Sequence, residues 1–143
     1  MEITIRTLEK ADYEVIHNLI RNELGYDKLK TGDTFKWMDS IQNHKDYQTF
    51  VAVCNNKVIG FIGLFKGIAF NLGEYLQIIA LAVDKEYQNN GIGSHLLDQA
   101  EKYARNENIV SISLNSGFHR EKAHIFYEHR GFVKKSYSFQ KSL

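Results

Sequence analysis

The segment Gln88-Asn89-Asn90-Gly91-Ile92-Gly93-Ser94 combines the residue types that can hold a phosphate. Glycines at 91 and 93 let the backbone come close to a ligand, and the free N–H groups of a starting helix carry a partial positive charge suited to a pyrophosphate. A helix that merely uses glycine to turn has the same pattern, so the glycine pair alone leaves both readings open. Two nucleotide signatures do not fit. No GxxxxGK run followed by Ser or Thr occurs, and a GxGxxG pattern fails because Leu96 stands at the third glycine, with no acidic residue about 20 positions on.

The elements that must position this segment follow from periodicity. Ile3 and Ile5 alternate with polar residues as in a strand, and Leu8 to Leu24 sets Val15, Ile16, Leu19 and Ile20 on one helical face. Phe35, Trp37, Met38 and Ile41 suit a second, shorter helix. Gln48–Cys54 and Lys57–Lys66 are rich in β-branched and aromatic residues, and Asn55-Asn56 between them tolerates the left-handed backbone of a tight hairpin. The near-continuous apolar run Leu76–Val83 reads as a central strand covered on both faces. A helix over Gly93–Arg105, a strand over Ile109–Leu114, a helix over Glu121–Arg130 stopped by Gly131, and a last strand over Phe132–Phe139 complete the chain. The order is β-α-α-β-β-β-α-β-α-β, an α/β arrangement with a mixed sheet and helices on its faces.

With 143 residues and no repeat, linker or charge tract, the expectation is one domain over 1–143. Hydrophobic residues make up 43% and charged residues 24%, which excludes disordered and fibrous classes. A formal charge of +1 is no footprint for a phosphate backbone, so nucleic-acid binding is disfavoured. The start MEITIRTLEK lacks a signal-peptide core and no apolar run reaches the ~18 residues of a membrane span, which gives a cytoplasmic, membrane-free expectation. Cys54, the single cysteine, lies in an apolar run and reads as an inert core thiol.

The run Gln88 to Gly93 after an apolar strand, together with Asn115, Ala123, Phe126-Tyr127 and Gly131-Phe132, resembles the GNAT N-acetyltransferase superfamily. The first part is similar to its Q/R-x-x-G-x-G/A acetyl-CoA signature and the second to its A-x-x-F-Y-x-x-x-G-F helix. The resemblance implies a sheet splayed between its central strands, with acetyl-CoA as cosubstrate in the gap and no metal. It implies main-chain contacts to pantetheine from Leu81, Ala82 and Val83. The backbone N–H groups of Gln88, Asn89, Asn90, Gly91, Ile92, Gly93 and Ser94 would cradle the pyrophosphate. Asn89 and Asn90 replace the basic residues usual at those motif positions. Phe126 would join the cofactor wall.

By the same resemblance Tyr127 corresponds to the tyrosine that protonates the departing thiolate, a task a phenol of pKa ~10 can perform while un-ionised at neutral pH. Asn115 resembles the asparagine that contacts the cofactor or orders water near the sulfur. An amine of pKa ~10.4 is mostly protonated at pH 7.4, a deficit of roughly 4 kcal/mol that some group must relieve. Gln77 stands where some relatives carry a glutamate base, which leaves Glu74, His119, His124 or a water chain. Glu23, Tyr26, Asp27 and Trp37 fall where the family builds its acceptor wall, and their acidic and aromatic character would suit a cationic small-molecule amine. The alternative is a domain that keeps the acetyl-CoA cleft without turnover and serves as a sensor. A homodimer through edge strands and the C-terminal segment, with Tyr137 and Phe139 in the interface, is a further expectation.

Overall fold

The computed structural model describes residues 1–143. A five-stranded sheet runs in the order β1-β2-β3-β4-β5, with β1 (Thr4–Thr7), β2 (Tyr47–Cys54), β3 (Lys57–Ala69), β4 (Gly73–Val83) and β5 (Ile112–Leu114). Each neighbouring pair among the first four strands is antiparallel, whereas β4 and β5 are parallel. Asn55 and Asn56 take positive φ angles of 50° and 63° in the two-residue turn between β2 and β3, as the sequence predicts.

Alternation along the strands sends apolar side chains to both faces. Val51, Val58, Phe61 and Ala82 pack against α1 (Tyr13–Glu23) and α2 (Thr31–Gln42) through Tyr13, Ile16, Leu19 and Met38. On the other face, Phe50, Ala52, Ile62, Leu64, Leu76 and Ile78 meet α3 (Ile92–Asn106). That helix buries Leu96, Leu97, Ala100 and Ala104, one stripe at helical spacing. α4 (Glu121–His129) lies at the rim, where Phe126 packs against this second cluster.

Three expected elements differ, the first being the strand expected over Ile109–Leu114, which forms only at Ile112–Leu114. The helix expected from Leu8 begins at Tyr13, because Arg6 clamps Asp12 through hydrogen bonds of 2.7 and 3.0 Å and the Glu9 N–H donates to the same carboxylate at 2.8 Å. These bonds hold Lys10–Asp12 in a 3₁₀ turn. The strand expected over Phe132–Phe139 does not form, and Val133, Tyr137 and Phe139 lie exposed. Gly131 turns the chain with φ 93°, and the adjacent strand β5 spans just three residues, so the tail finds no edge long enough for a ladder. A side-chain bond from Ser138 Oγ to Asn115 Oδ1, at 3.0 Å, holds it at the end of β5.

Candidate active site

The site begins where two neighbouring strands part. β4 pairs with β5 only from Leu76 to Ile78, after which β4 continues to Val83 with that edge unpaired. At the same point Gly63 faces Ala80 and Leu64 faces Ile78, so Ile79 is an extra residue that bulges β4. The parity of the strand changes with it. Leu76 and Ile78 face α3 before the bulge, and Leu81 and Val83 do so after it. Gly63 accommodates the bulge, because a Cβ there would stand 3.2 Å from the Ile79 side chain.

The parting leaves a cleft of about 200 Å³. Ile78 to Leu81 form one wall, Leu114 to Gly117 with His119, Arg120 and Tyr127 form another, and Leu24 and Tyr26 close it from the α1–α2 loop. Leu81, Asn115, Tyr26 and Tyr127, four of the residues read from the sequence, therefore meet in one place. Burial pushes the Tyr127 phenol above its ordinary pKa, while the nearby positive charge of Arg120 acts against that rise. The ring is set by Phe126 and Phe132, with centroids at 5.6 and 5.7 Å. His119 folds back over Gly117, whose missing side chain makes the room, since a Cβ there would lie 2.9 Å from the imidazole.

β4 leads directly into the glycine segment. Asn89 and Gly91 have φ of 65° and 78°, and nothing lies within 4 Å of the Cβ position of Gly91, so the loop opens outward. α3 carries no side-chain cap, and its first helical bond runs from the His95 N–H to the Gly91 carbonyl at 3.0 Å. The N–H groups of Ile92, Gly93 and Ser94 are thus left without helical acceptors, at the positive end of the helix. This geometry fits a pyrophosphate. Ile92 and Ala82 are buried, at 1% and 4% exposure, so neither offers a side chain to a ligand. Asn90 turns its side-chain amide back to the carbonyls of Tyr87 and Gln88, both at 3.1 Å. Gly93 packs against Phe126, whose Cζ would be 3.1 Å from an added Cβ. Phe126 therefore abuts the phosphate loop from α4.

Three expected site residues lie elsewhere. Glu74 sits at the start of β4, seven residues and about 23 Å from Leu81 along the strand. It faces Lys66 at 3.9 Å, outside the residues that line the cleft. Glu23 directs its carboxylate at the loop after β4, accepting from Lys85 N–H at 3.1 Å and Gln88 Nε2 at 3.2 Å, so it holds that loop. Trp37 lines an apolar pocket between α1 and α2 with Ile20, Leu29 and Met38, and Tyr26 lines both this pocket and the cleft. Of the remaining candidates for a base, His119 is in the cleft wall and His124 is not.

Arg120 and Ser116 are cleft residues that the sequence reading missed. Arg120 stands seven positions before Tyr127, two helical turns away on the same face, and that spacing was the available signal. Ser116 Oγ is buried with no hydrogen-bond partner. A buried hydroxyl in that state costs about 1–3 kcal/mol.

Residues 6–132 match the model of the acetyltransferase (GNAT) family. The chain belongs to the GNAT family. As a GNAT chain it is 30% identical, over 105 residues covering 73% of it and 74% of the relative, to the uncharacterized N-acetyltransferase YhdJ of Bacillus subtilis. It is 28% identical to the aminoalkylphosphonate N-acetyltransferase of Salmonella typhimurium, covering 99% of this chain and 91% of that one. A solved GNAT acetyltransferase from Staphylococcus aureus superposes with a TM-score of 0.77 at 28% identity, over the full length of both chains. GNAT enzymes use acetyl-CoA, and the unpaired β4 edge with the outward loop at α3 is where this GNAT chain has room and donors for it. No helix is long and apolar enough to cross a membrane.

Proposed function

We propose that the chain transfers the acetyl group of acetyl-CoA to the primary amine of a small molecule by direct attack, with both substrates bound together. The carrying observation is that the Tyr127 phenol shares one cleft with the unpaired β4 edge at Leu81, and that β4 runs from this edge straight into the phosphate loop. The Salmonella relative, whose name gives an aminoalkylphosphonate as its substrate, supports a small-molecule acceptor.

In this reading the amine nitrogen bonds to the thioester carbon and the carbon–sulfur bond breaks. A backbone N–H on the β4 edge near Leu81 meets the negative charge that develops on the carbonyl oxygen. Tyr127 gives its proton to the leaving sulfur, and burial keeps the phenol un-ionised until then. His119 takes the proton that the nitrogen sheds, and exchange with water returns one to Tyr127. Asn115, at the mouth between β5 and the loop, orders the sulfur end of the cofactor.

The test is amine-dependent thiol release from acetyl-CoA by the purified chain over a panel of small amines. Release by the wild type, reduced by two or more orders of magnitude in Tyr127→Phe, is the expected result. Acetyl-CoA binding without release from any amine turns the reading into a sensor, and equal rates in the variant remove Tyr127 as the acid.

A further inference from the structure

Arg120 has no partner of its own. Arg6 pairs with Asp12, Arg130 with Asp98 and Glu101, Arg105 with Glu101, and Arg21 donates to the Asp27 carbonyl, but the Arg120 guanidinium makes no ion pair or hydrogen bond. It is nevertheless half-buried in the wall of the cleft, close enough to Tyr127 for its charge to act on the phenol. Ser116, in the same wall, holds the one buried side-chain polar atom in the structure without a partner. No carboxylate is among the residues lining the cleft; Asp27 lies in the α1–α2 loop beside Tyr26, and Glu23 at the end of α1 is bonded to Lys85 and Gln88.

We infer that Arg120, with the Ser116 hydroxyl, forms a subsite for an oxyanion carried by the acceptor, so that the preferred acceptors are small amines bearing a carboxylate or phosphonate. The inference rests on the acetyl-transfer reading and gives that reading its substrate class. A guanidinium offers a planar fork of N–H donors that matches two oxygens of either group, and partial burial strengthens such a bond. A second amine in place of the oxyanion would put a cation against Arg120 with no carboxylate in the cleft lining to offset it. The fixed charge has a further effect. It disfavours the ammonium form of a neighbouring amine, and the neutral form is the one that can attack.

The experiment measures calorimetric binding of four amines to the CoA-saturated protein: propylamine, 1,3-diaminopropane, β-alanine and 3-aminopropylphosphonate. Acetyl-CoA turnover is followed with each. The expected result is that the two anionic amines bind at least about 10-fold tighter than propylamine, the difference one charge-assisted contact supplies, with 1,3-diaminopropane the weakest. The carboxylate and phosphonate arms identify which oxyanion is preferred. Arg120→Gln should bring the anionic-to-neutral ratio to about one, Arg120→Lys should retain part of it, and Ser116→Ala should lower it less than Arg120→Gln. Equal binding of propylamine, or tighter binding of the diamine, overturns the subsite. So does a ratio that survives in Arg120→Gln while CoA binding weakens, which would assign the arginine to the cofactor. Anion-selective binding without thiol release keeps the subsite and defeats acetyl transfer, whereas release without anion preference does the reverse.

Discussion

The side chain of Gln88 donates to Glu23 at 3.2 Å, joining the end of α1 to the phosphate loop 65 residues further along the chain. The same Gln88 amide also donates to the Val83 carbonyl at 2.9 Å, and Glu23 accepts a second bond from the Lys85 N–H. The end of α1 thereby holds the loop between β4 and α3. Removing the carboxylate in Glu23→Ala is expected to raise the Kd for acetyl-CoA about 5-fold, the effect of roughly 1 kcal/mol in exposed charge-assisted bonds. Calorimetry with acetyl-CoA checks it, and an unchanged Kd would mean that the loop holds its shape without α1.

Tyr127 yields a prediction on the alkaline side. Its folded pKa is raised by burial, against the opposing charge of Arg120, so the neutral phenol contributes stability that is fully present below the unfolded value near 10 and is lost as pH rises through the folded value. Between pH 9 and pH 11 the wild type should lose more stability than Tyr127→Phe. Denaturant midpoints across that interval measure the difference, and parallel curves would contradict it.

Glu74 lies away from the cleft, and its contact with Lys66 is a partly exposed pair at 3.9 Å. Glu74→Gln should leave kcat/KM within about 2-fold of wild type and stability within about 1 kcal/mol. A large fall in kcat at constant KM would return Glu74 to the list of bases.

Gly93→Ala places a methyl 3.1 Å from Phe126 Cζ, between the phosphate loop and α4. The ring must give by a few tenths of an ångström, and overpacking of this kind costs about 1–3 kcal/mol, against about 1 kcal/mol that alanine gains over glycine within α3. A lower Tm and weaker acetyl-CoA binding are expected together. Phe126→Leu in the same chain should recover part of the Tm, because the smaller side chain leaves room for the methyl.

Asp12 sets the acid limb of stability. Its carboxyl is held below the usual value first by the hydrogen bond from Arg6, against burial, and then by the Glu9 N–H. The stability it supplies is present above the unfolded pKa near 3.9 and is lost as pH falls through the lowered folded value. Asp12→Asn should cost about 1–3 kcal/mol at neutral pH and flatten the loss of stability on acidification below pH 4. Urea midpoints between pH 2 and pH 7 provide the comparison.

The glycine loop, the Asn55-Asn56 hairpin, the apolar stripe of α3 and the central strand were legible because each is a local pattern. A left-handed turn or a helical stripe is encoded by residues within a few positions of one another. Tyr127 and Leu81 were legible through motifs of the same local kind. The strand expected at Phe132–Phe139 has the right alternation, but a strand also needs an edge, and the length of β5 is no property of the tail. Glu23 and Glu74 show the same division. Both are acids at strand or helix ends, and their partners, Gln88 and Lys66, were set by packing of distant segments.

What the sequence determined by itself was the element order as far as α4, the family and the glycine loop that opens α3. Tertiary structure alone decided that β4 bulges at Ile79 and parts from β5, that Tyr26, Leu81, Arg120 and Tyr127 converge on the resulting gap, and that Arg120 and Ser116 remain unpaired there. The physical reason is that hydrogen bonds and charge pairs form between groups that the fold brings within about 3 Å, whatever their separation in the chain. Which polar groups are left without a partner follows only when every strand and helix is in place.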